Sequence, residues 1–343
     1  MSIPSTSSPV SDSAARILEL VTSGWIASAV NAAAELGVAD AMSEAPISVE
    51  EIAERVGADT EALHRLLRAC ADLGIVEELP GRNFSLTALG TALRGDAPDS
   101  MRNYARWMAG PDEGSTMAHL AEAVRTGGPV WEDVHGAPVW EHMRANPVSA
   151  SSYNLGMTDL SAQLTRSLVE EYDFRDRDLL VDVGGGRGQL LALLLSAHPH
   201  LRGVLHDQPE VVARTEPLLA RPGIAERCRV EGGDFFSSVP SGGDTYLLAQ
   251  VIHNWGDDDA ERIITNCRRS MEPRGRVLLA EMVVPEGPEP SRTAKFMNLS
   301  MLAHCGGKQR TRTEFAALFE RSGLRLNRIV PGSGVSVVEG VLA

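Results

Sequence analysis

The second half of the chain alternates short apolar segments with helical ones, and this alternation restricts the possible folds more than any other feature of the sequence. Helices are indicated between the apolar segments, for example over residues 189–197 and 258–270. Strand–helix alternation of this kind is typical of a parallel, doubly wound sheet. We predict its strands at residues 179–183, 203–206, 229–231, 245–250 and 276–282.

The last segment of the chain departs from this alternation. Residues 324–330 and 335–342 have the composition of strands, and the sequence Pro331-Gly332-Ser333-Gly334 joins them. Two strands connected by so short a turn form an antiparallel hairpin. The fold class that we predict is therefore α/β, with a Rossmann-like doubly wound sheet that ends in a C-terminal antiparallel hairpin.

The N-terminal part of the chain is predicted to be mainly helical. Residues 1–12 are rich in Ser, Pro and Thr, which predicts a disordered lead-in. Residues 14–36 form a helix that is apolar nearly all round, so we expect a second subunit to cover it. Residues 47–93 combine a capping box at Ser48-Val49-Glu50-Glu51 with two helices and a two-stranded wing. This order is typical of a winged helix.

These patterns divide the chain into four segments. Residues 1–12 are the lead-in, and residues 13–101 form a winged-helix-like dimerisation domain. Residues 102–169 form a helical connector, which we expect to contribute to a substrate pocket. Residues 170–343 form the domain that contains the doubly wound sheet.

The charge balance restricts the partners of the chain. It has 32 Lys and Arg against 46 Asp and Glu, which gives a formal net charge of −14 and opposes binding to nucleic acid or to an anionic membrane. The helix that would read DNA mixes acidic residues with Arg65 and Arg68, whereas groove binding needs clustered positive charge. A winged-helix DNA-binding regulator is kept as a minor alternative.

The sequence predicts a cytoplasmic protein without bound metal. No uninterrupted apolar run approaches the roughly 20 residues of a membrane-spanning helix, and the first residues lack the regions of a signal peptide. The cysteines are widely spaced and form no CxxC pair, which indicates neither a disulfide framework nor a zinc site. They are Cys70, Cys228, Cys267 and Cys305.

A glycine-rich segment, Gly184-Gly185-Gly186-Arg187-Gly188, lies between the first strand of the sheet and a helix. Glycines at such a turn let a ligand approach the main chain. A dinucleotide fingerprint would require Gly or Ala at position 189, where this chain has Gln. The spacing, with Asp182 inside the strand, resembles class I S-adenosylmethionine (SAM) methyltransferases. Asp207, about 20 residues further on, lies where a carboxylate can accept hydrogen bonds from a ribose.

The chain as a whole resembles the small-molecule O-methyltransferases, which include plant caffeate and isoflavone enzymes, hydroxyindole O-methyltransferase and bacterial enzymes of aromatic natural-product pathways. The matching segments are LVDVGGG at 180–186, GDFF at 233–236, VIHNW at 251–255, AE at 280–281, MLAH at 301–304 and GGK at 306–308. The resemblance implies a seven-stranded sheet, SAM as the cofactor, an aromatic small-molecule acceptor and a homodimer.

The resemblance also implies a catalytic group at the carboxyl edge of the sheet. His253 follows the fourth strand and is the expected general base, because an imidazole can take the proton of a phenol at neutral pH. Glu281, at the end of the fifth strand, is expected to orient the imidazole and stabilise its charged form. Asn254 completes the predicted catalytic set, and both Asn254 and Gln309 stand where the family usually has acidic residues. Their neutrality weakens that stabilisation, so proximity or an already acidic acceptor would count for more.

The remaining site residues follow from the same resemblance. Asp234 is expected to bind the adenine amino group, and Phe235 is expected to pack on the adenine ring. The full set of predicted cofactor-binding residues is Ser161, Asp182, Gly184, Gly186, Asp207, Gly233, Asp234, Phe235 and Gln250. The predicted acceptor-binding residues are Met157, Trp255, Met297, Asn298 and Met301. For Met297 and Met301, four apart on one helix, simple core packing is the alternative.

The predicted function is therefore SAM-dependent methylation of a phenolic hydroxyl of an aromatic natural product in bacterial secondary metabolism. The neutral Asn254 and Gln309 keep other chemistry on the same fold open, since function depends on the site more than on the fold. The alternatives are methylation of carbon or nitrogen, and hydroxylation, decarboxylation or pericyclic reactions.

Overall fold

The structure is a computed structural model, and it describes residues 12–164, 166–215 and 217–343. It divides into two compact units, one that ends at Pro111 and one that begins at Asp112. Nearly all of the predicted lead-in, residues 1–11, lies outside the described residues. The predicted boundaries at residues 101 and 169 stay predictions.

The first unit is helical with a small sheet. Its sheet is antiparallel in the order β1-β3-β2, with Ile47 opposite Phe84. The predicted cap begins α2, because the Ser48 hydroxyl accepts a hydrogen bond from Glu51 N at 3.2 Å, and the left-handed Gly57 ends it. The elements are α1 (Asp12–Leu36), β1 (Ile47–Ser48), α2 (Val49–Val56), α3 (Thr60–Asp72), β2 (Val76–Leu79), β3 (Asn83–Leu86) and α4 (Arg102–Met108).

Helix α1 exposes large apolar side chains within this chain. Val21 is 74% exposed and Trp25 is 75% exposed. By length and composition alone, α1 is also apolar enough to cross a membrane. The sequence-based prediction that no segment meets this criterion is therefore wrong. The reason is that the many Ala residues between the large side chains raise the average hydropathy without forming one uninterrupted apolar run.

The second unit is built on a seven-stranded sheet in the order β11-β12-β8-β7-β4-β5-β6. Strands β4 to β8 run parallel, and β12 is antiparallel to both β8 and β11. This confirms the predicted fold class. The strands are β4 (Leu179–Val183), β5 (Arg202–Asp207), β6 (Cys228–Gly232), β7 (Thr245–Ala249), β8 (Arg276–Glu281), β11 (Leu324–Val330) and β12 (Ser336–Leu342), with a separate pair β9 (Val283–Val284) and β10 (Arg310–Thr311).

Helices cover both faces of this sheet, so its strands are apolar on both sides. Leu180, Leu205 and Leu247 belong to one core cluster, and Val181 and Val204 belong to the other. The helices are α5 (Pro111–Met117), α6 (Leu120–Thr126), α7 (Trp131–His135), α8 (Val139–Ala145), α9 (Pro147–Leu164), α10 (Arg166–Glu171), α11 (Gln189–Ala197), α12 (Pro209–Val212), α13 (Asp257–Ser270), α14 (Arg292–Cys305) and α15 (Arg312–Arg321).

The strand order reverses at β4, where β5 lies on one side and β7 on the other. In open α/β sheets, ligands bind beyond the carboxyl ends of the strands at such a reversal. The loops after β4, β5, β6, β7 and β8 meet at this edge, and they carry most of the predicted site residues.

Candidate active site

The loop between β4 and α11 has a conformation that glycine adopts readily. Gly184, Gly186 and Gly188 have φ of 70°, 59° and 88°, in a region that residues with a Cβ rarely occupy. Gly185 has no room for a side chain, since its Cβ would lie 2.5 Å from Asp182 Oδ2. The loop therefore presents mainly main-chain atoms at the edge of the sheet.

Asp182 lies directly against this loop. Its side chain is 1% exposed, and neither carboxylate oxygen has a hydrogen-bond partner among the described residues. Burial, with a smaller contribution from the charge of Asp207, raises the pKa of Asp182 to about 7. A buried carboxyl group without a partner is costly. The predicted cofactor fits here, because its cationic groups would compensate the charge of the carboxylate.

Asp207 ends β5 and contacts the same loop. Its Oδ2 accepts a hydrogen bond from Gly186 N at 2.8 Å, and its Oδ1 accepts one from Gln208 N at 2.7 Å. Burial raises the pKa of Asp207, although these two backbone donors oppose the shift. The side chain therefore joins the glycine loop to the end of β5, which is the position expected of a ribose-binding carboxylate.

The loop after β6 is also tied to β5. Gly233 N donates to the carbonyl oxygen of Asp207 at 2.9 Å. The Asp234 carboxylate accepts from Phe236 N at 2.9 Å and from the Ser237 hydroxyl at 3.2 Å, so it stabilises its own turn. A carboxylate can accept further hydrogen bonds, and the adenine-binding role of the exposed Asp234 stays a prediction.

Aromatic rings connect the predicted cofactor side with the predicted acceptor side. The Trp255 ring lies 6.0 Å from that of Phe235 and 4.7 Å from that of Phe236. It also lies 6.0 Å from Trp140, which is 5.8 Å from Tyr153. Trp255 was predicted to line the acceptor pocket, and the structure places it against the predicted adenine side as well.

His253 and Glu281 form a buried pair. His253 is 7% exposed and Glu281 is fully buried. His253 Nδ1 lies 2.6 Å from Glu281 Oε2, so it carries the proton, and Nε2 is the nitrogen that can accept one. Glu281 Oε1 also accepts from the backbone N of Ile252 at 2.8 Å and of His253 at 3.3 Å. The predicted base and its orienting carboxylate are therefore in contact.

Gln250 contacts this pair. Its φ of 56° places a residue with a side chain in the left-handed region, where strain of about 1–3 kcal/mol is often found at functional sites. Its Nε2 donates to Glu281 Oε2 at 3.1 Å and to the Ala280 carbonyl at 3.3 Å. Gln250 therefore helps to hold Glu281, and its binding to the cofactor stays a prediction.

Two residues after α14 fix the turn that carries His253. Gly307 packs so closely that a Cβ there would overlap the carbonyl oxygen of His253. Arg310 is 1% exposed, and its guanidinium donates to the carbonyl oxygens of Ile252 at 3.1 Å and Trp255 at 2.9 Å. It also contacts Asp257 at 2.8 Å. Gly307 and Arg310 therefore hold this turn in place.

Asn254 and Gln309, the neutral residues at positions where the family usually has acids, differ in their surroundings. Asn254 Nδ2 donates to the Gln250 carbonyl at 3.3 Å. Gln309 is 3% exposed, and its carboxamide has no hydrogen-bond partner in the part of the chain that the structure describes. Gln309 N donates to Asn298 Oδ1 at 2.8 Å. The Asn298 oxygen, predicted to face the acceptor, is thus used to hold the 307–310 segment.

The other predicted acceptor and cofactor residues lie on two helices. Met157 and Ser161 are partly buried on α9, and Met301 is partly buried on α14. Met297, also on α14, packs against the core cluster on one face of the sheet, as the core-packing alternative stated. Their contacts with an acceptor or with the cofactor stay predictions.

Sequence reasoning missed three residues of the site, namely Arg310, Trp140 and Tyr153. Arg310 directly follows the GGK segment, yet nothing in its spacing showed that its guanidinium reaches the carbonyl oxygens around His253. Tyr153 packs against Trp140, and burial raises the pKa of its phenol.

Comparison with protein families gives two matches. The family described as the O-methyltransferase domain matches residues 117–325, and the O-methyltransferase dimerisation domain matches residues 18–95. A phenazine O-methyltransferase of Lysobacter antibioticus is 37% identical over 94% of this chain and 94% of its own length. A mitomycin biosynthesis 6-O-methyltransferase of Streptomyces lavendulae is 36% identical over 94% and 92%.

A relative that methylates nitrogen is nearly as similar. The 8-amino-8-demethylriboflavin N,N-dimethyltransferase of Streptomyces davaonensis is 32% identical over 97% of this chain and 96% of its own length.

Solved structures agree with these matches. The LaPhzM crystal structure superposes with a TM-score of 0.91 at 35% identity, covering 96% of this chain and 99% of that one. Human N-acetylserotonin methyltransferase in complex with SAM gives a TM-score of 0.89 at 25% identity, covering 98% and 99%. The glycine loop, the buried acids beside it and the family match together show that this chain belongs to the O-methyltransferase family and is a SAM-dependent methyltransferase of bacterial secondary metabolism.

Proposed function

We propose that the protein transfers a methyl group from SAM to a phenolic hydroxyl of an aromatic natural product. The observation that supports this most directly is the 2.6 Å contact between His253 Nδ1 and Glu281. Bound SAM supplies an electrophilic methyl group on a sulfonium. The chain must remove the proton of the acceptor hydroxyl and hold the oxygen in line with that methyl group.

His253 is the residue that removes the proton. Because Glu281 holds Nδ1–H, the proton of the hydroxyl passes to Nε2, and the imidazolium that results is stabilised by the adjoining carboxylate. Four donors from Gln250, Ile252 and His253 hold the Glu281 carboxylate in place beside the imidazole. A positioned base of this kind contributes roughly 10²–10⁴-fold to the rate.

An aromatic acceptor is supported by the walls around this base. Trp255 and Trp140 lie beside the turn that carries His253, and methionines on α9 and α14 add adaptable, polarisable surface. The phenazine and mitomycin relatives carry aromatic or related natural products in their names. We extend this substrate class to the present protein as part of the proposal.

The first prediction tests the base. His253→Ala should lower the rate of methyl transfer to a phenol at least tenfold, within the usual range for a lost base, and leave SAM affinity close to wild type by calorimetry. The product should gain the mass of one methyl group. His119→Ala, at an exposed position on the loop before α6, is the matched control. A variant as fast as wild type would contradict the role of His253.

N-methylation is the second candidate, and the riboflavin-type N,N-dimethyltransferase relative favours it. A neutral amine is nucleophilic before it loses a proton, whereas a phenol needs its proton removed. An aminophenol offers both acceptors on one ring, and NMR of the product identifies the methylated atom. His253→Ala should reduce O-methylation far more than N-methylation, and a product methylated at nitrogen alone would replace the phenol proposal.

We also propose a cytoplasmic homodimer. The dimerisation-domain match covers residues 18–95, and this range contains most of the exposed apolar surface of α1. Cys70, Cys228, Cys267 and Cys305 are all free thiols, which is compatible with a reducing compartment. Fractionation of the producing cells tests the location, and a membrane fraction that retains the protein after a salt wash would contradict it.

A further inference from the structure

A second group of chemically active side chains lies away from the His253 site, around Trp131. One ligand atom each of Asp112, His135 and His142 lies within 4.8 Å of the other two. All three residues are partly buried. They come from α5, α7 and α8, and the Trp131 ring packs 4.2 Å from His135 and 5.6 Å from His142.

The hydrogen bonds around His135 define which of its nitrogens carries a proton. The Thr116 hydroxyl donates to the Asp112 carbonyl oxygen at 2.8 Å. It has one proton to give, so towards His135 Nε2, 3.0 Å away, the hydroxyl oxygen accepts. Nε2 therefore carries the proton, and Nδ1 has a free lone pair. An imidazole whose other N–H is held in this way is the usual form of a metal ligand.

His142 offers a second nitrogen that could bind a metal. His142 Nε2 is buried and has no hydrogen-bond partner within the described ranges. Burying a polar nitrogen without a partner costs free energy, and a bound cation would remove that cost.

The neighbouring acid does not compete for the site. Glu113 lies 2.6 Å from His304 Nε2, and both side chains are buried. This contact occupies the Glu113 carboxylate. Asp112 is left as the carboxylate that lies beside His135 and His142.

We propose that Asp112, His135 and His142 bind one divalent transition-metal ion of the zinc class. Two imidazoles and one carboxylate form a three-ligand set that suits Zn²⁺, with a fourth position for water, whereas Mg²⁺ and Ca²⁺ prefer oxygen ligands. No spacing of residues in the sequence indicates this site, and the sequence analysis predicts no bound metal. The ligands are 23 and 7 residues apart along the chain, and only the packing of three helices brings them together.

The ion would stabilise helix α8, which forms one side of the active site. Helix α8 carries both His142 and, two residues earlier, Trp140, which packs against Trp255 and Tyr153. An ion that ties α8 to α5 and α7 restricts the movement of Trp140. The role is structural, and it is independent of the proposed acceptor and of the base His253.

Untagged protein, stripped with EDTA and dialysed, is titrated with ZnCl₂ by calorimetry. We expect one Zn²⁺ per chain and a higher midpoint of thermal unfolding. MgCl₂ should produce neither effect. CoCl₂ should give the visible absorption bands of a low-coordinate Co²⁺ site, which reports binding to the folded chain directly.

The variants Asp112→Asn, His135→Gln and His142→Gln should each weaken Zn²⁺ binding at least tenfold. Thr116→Val, which removes the acceptor of His135 Nε2–H, should weaken it 10–100-fold. His119→Gln, an exposed histidine on the loop after α5, is the matched control and should bind as wild type. Equal Zn²⁺ affinity in the ligand variants and wild type would overturn the site. So would the absence of both heat and Co²⁺ absorption in the wild-type protein, whatever the stability of the variants.

Discussion

At the residue scale, the active site contains three carboxyl groups that differ in their hydrogen bonds; Asp182 and Glu281 are buried, and Asp207 is partly buried. Glu281 accepts from four donors, and Asp207 accepts from two backbone N–H groups. Asp182 accepts from none that the structure describes. Hydrogen bonds favour the ionised form of a carboxyl group, whereas burial without them favours the protonated form. Asp182, whose pKa is raised to about 7, therefore changes its charge close to neutral pH.

The second prediction concerns the stability of the protein without ligand. The pKa of Asp182 is raised to about 7 from an ordinary 3.8, so its contribution to folding is present below about pH 4 and is lost as the pH rises towards 7. Asp182→Asn removes this dependence. The free energy of unfolding is measured with urea at pH 5 and at pH 8. Relative to wild type, the variant should be more stable at pH 8 than at pH 5 by on the order of 2–4 kcal/mol. An equal difference at both pH values would contradict this.

The third prediction concerns cofactor binding at the same residue. A cationic ligand beside Asp182 favours its ionised form, so binding should release a proton below pH 7. Wild-type affinity for SAM should rise roughly tenfold from pH 6 to pH 8, as expected for one titrating group. Calorimetry in two buffers of different ionisation enthalpy measures the released proton. The Asp182→Asn variant should bind SAM with the same affinity from pH 6 to pH 8. If this variant still releases a proton on binding, the proton comes from a group other than Asp182.

At the scale of elements, His253 lies on a short turn that two other segments of the chain hold in place. Residues Ile252–Asn254 form a single 3₁₀ turn, which has little stability of its own. Glu281 at the end of β8 binds its backbone N–H groups, and Arg310 binds carbonyl oxygens at its two ends. Gly307 closes against it without space for a methyl group.

The fourth prediction tests this arrangement. Gly307→Ala should displace the His253 carbonyl and lower the rate of methyl transfer at least tenfold, because a shift of about 1 Å at a reacting group can cost 10²-fold. SAM affinity should change little, since Gly307 lies away from the glycine loop. Gly256→Ala, where a Cβ meets nothing within 4 Å, is the control. If both variants react as wild type, the turn is not held by this contact.

Sequence reasoning identified the elements more completely than their contacts. Strands β4 and β11 and helix α11 begin and end at the predicted residues, because short apolar segments bounded by Gly and Pro have few alternatives. The contact between Gln250 and Glu281 was not predicted, because a single left-handed residue at the end of β7 turns the Gln250 side chain towards Glu281. Such a change of direction leaves no periodic pattern in the sequence.

At the scale of the whole molecule, helix α1 carries the apolar surface through which we propose that two chains assemble. Trp25, Val21 and their apolar neighbours are exposed in the single chain, and a patch of this kind marks an interface. The membrane criterion that α1 meets depends on length and average hydropathy, whereas a partner chain would cover the same side chains by direct packing. The dimerisation-domain match favours the partner chain.

The fifth prediction tests this assignment. Trp25→Glu places a charge in the proposed interface and should weaken the dimer by about 2 kcal/mol or more, the cost typical of a central aromatic contact. Light scattering over a dilution series measures the change in mass. Arg65→Glu, an exposed change on α3 of the same domain, should leave the dimer intact. A wild-type protein that is monomeric at all concentrations would contradict the homodimer.

The attachment of Glu281 to β8 has a consequence for how this enzyme could acquire new acceptors. Glu281 ends a central strand, and its carboxylate binds the backbone beside His253. Nε2 of His253, the nitrogen proposed to accept the proton, therefore has a fixed position in the protein. An acceptor of a different shape must place its hydroxyl group next to this nitrogen. We therefore expect acceptor selectivity to change through substitutions of side chains on α8, α9 and α14, while His253 and Glu281 stay the same.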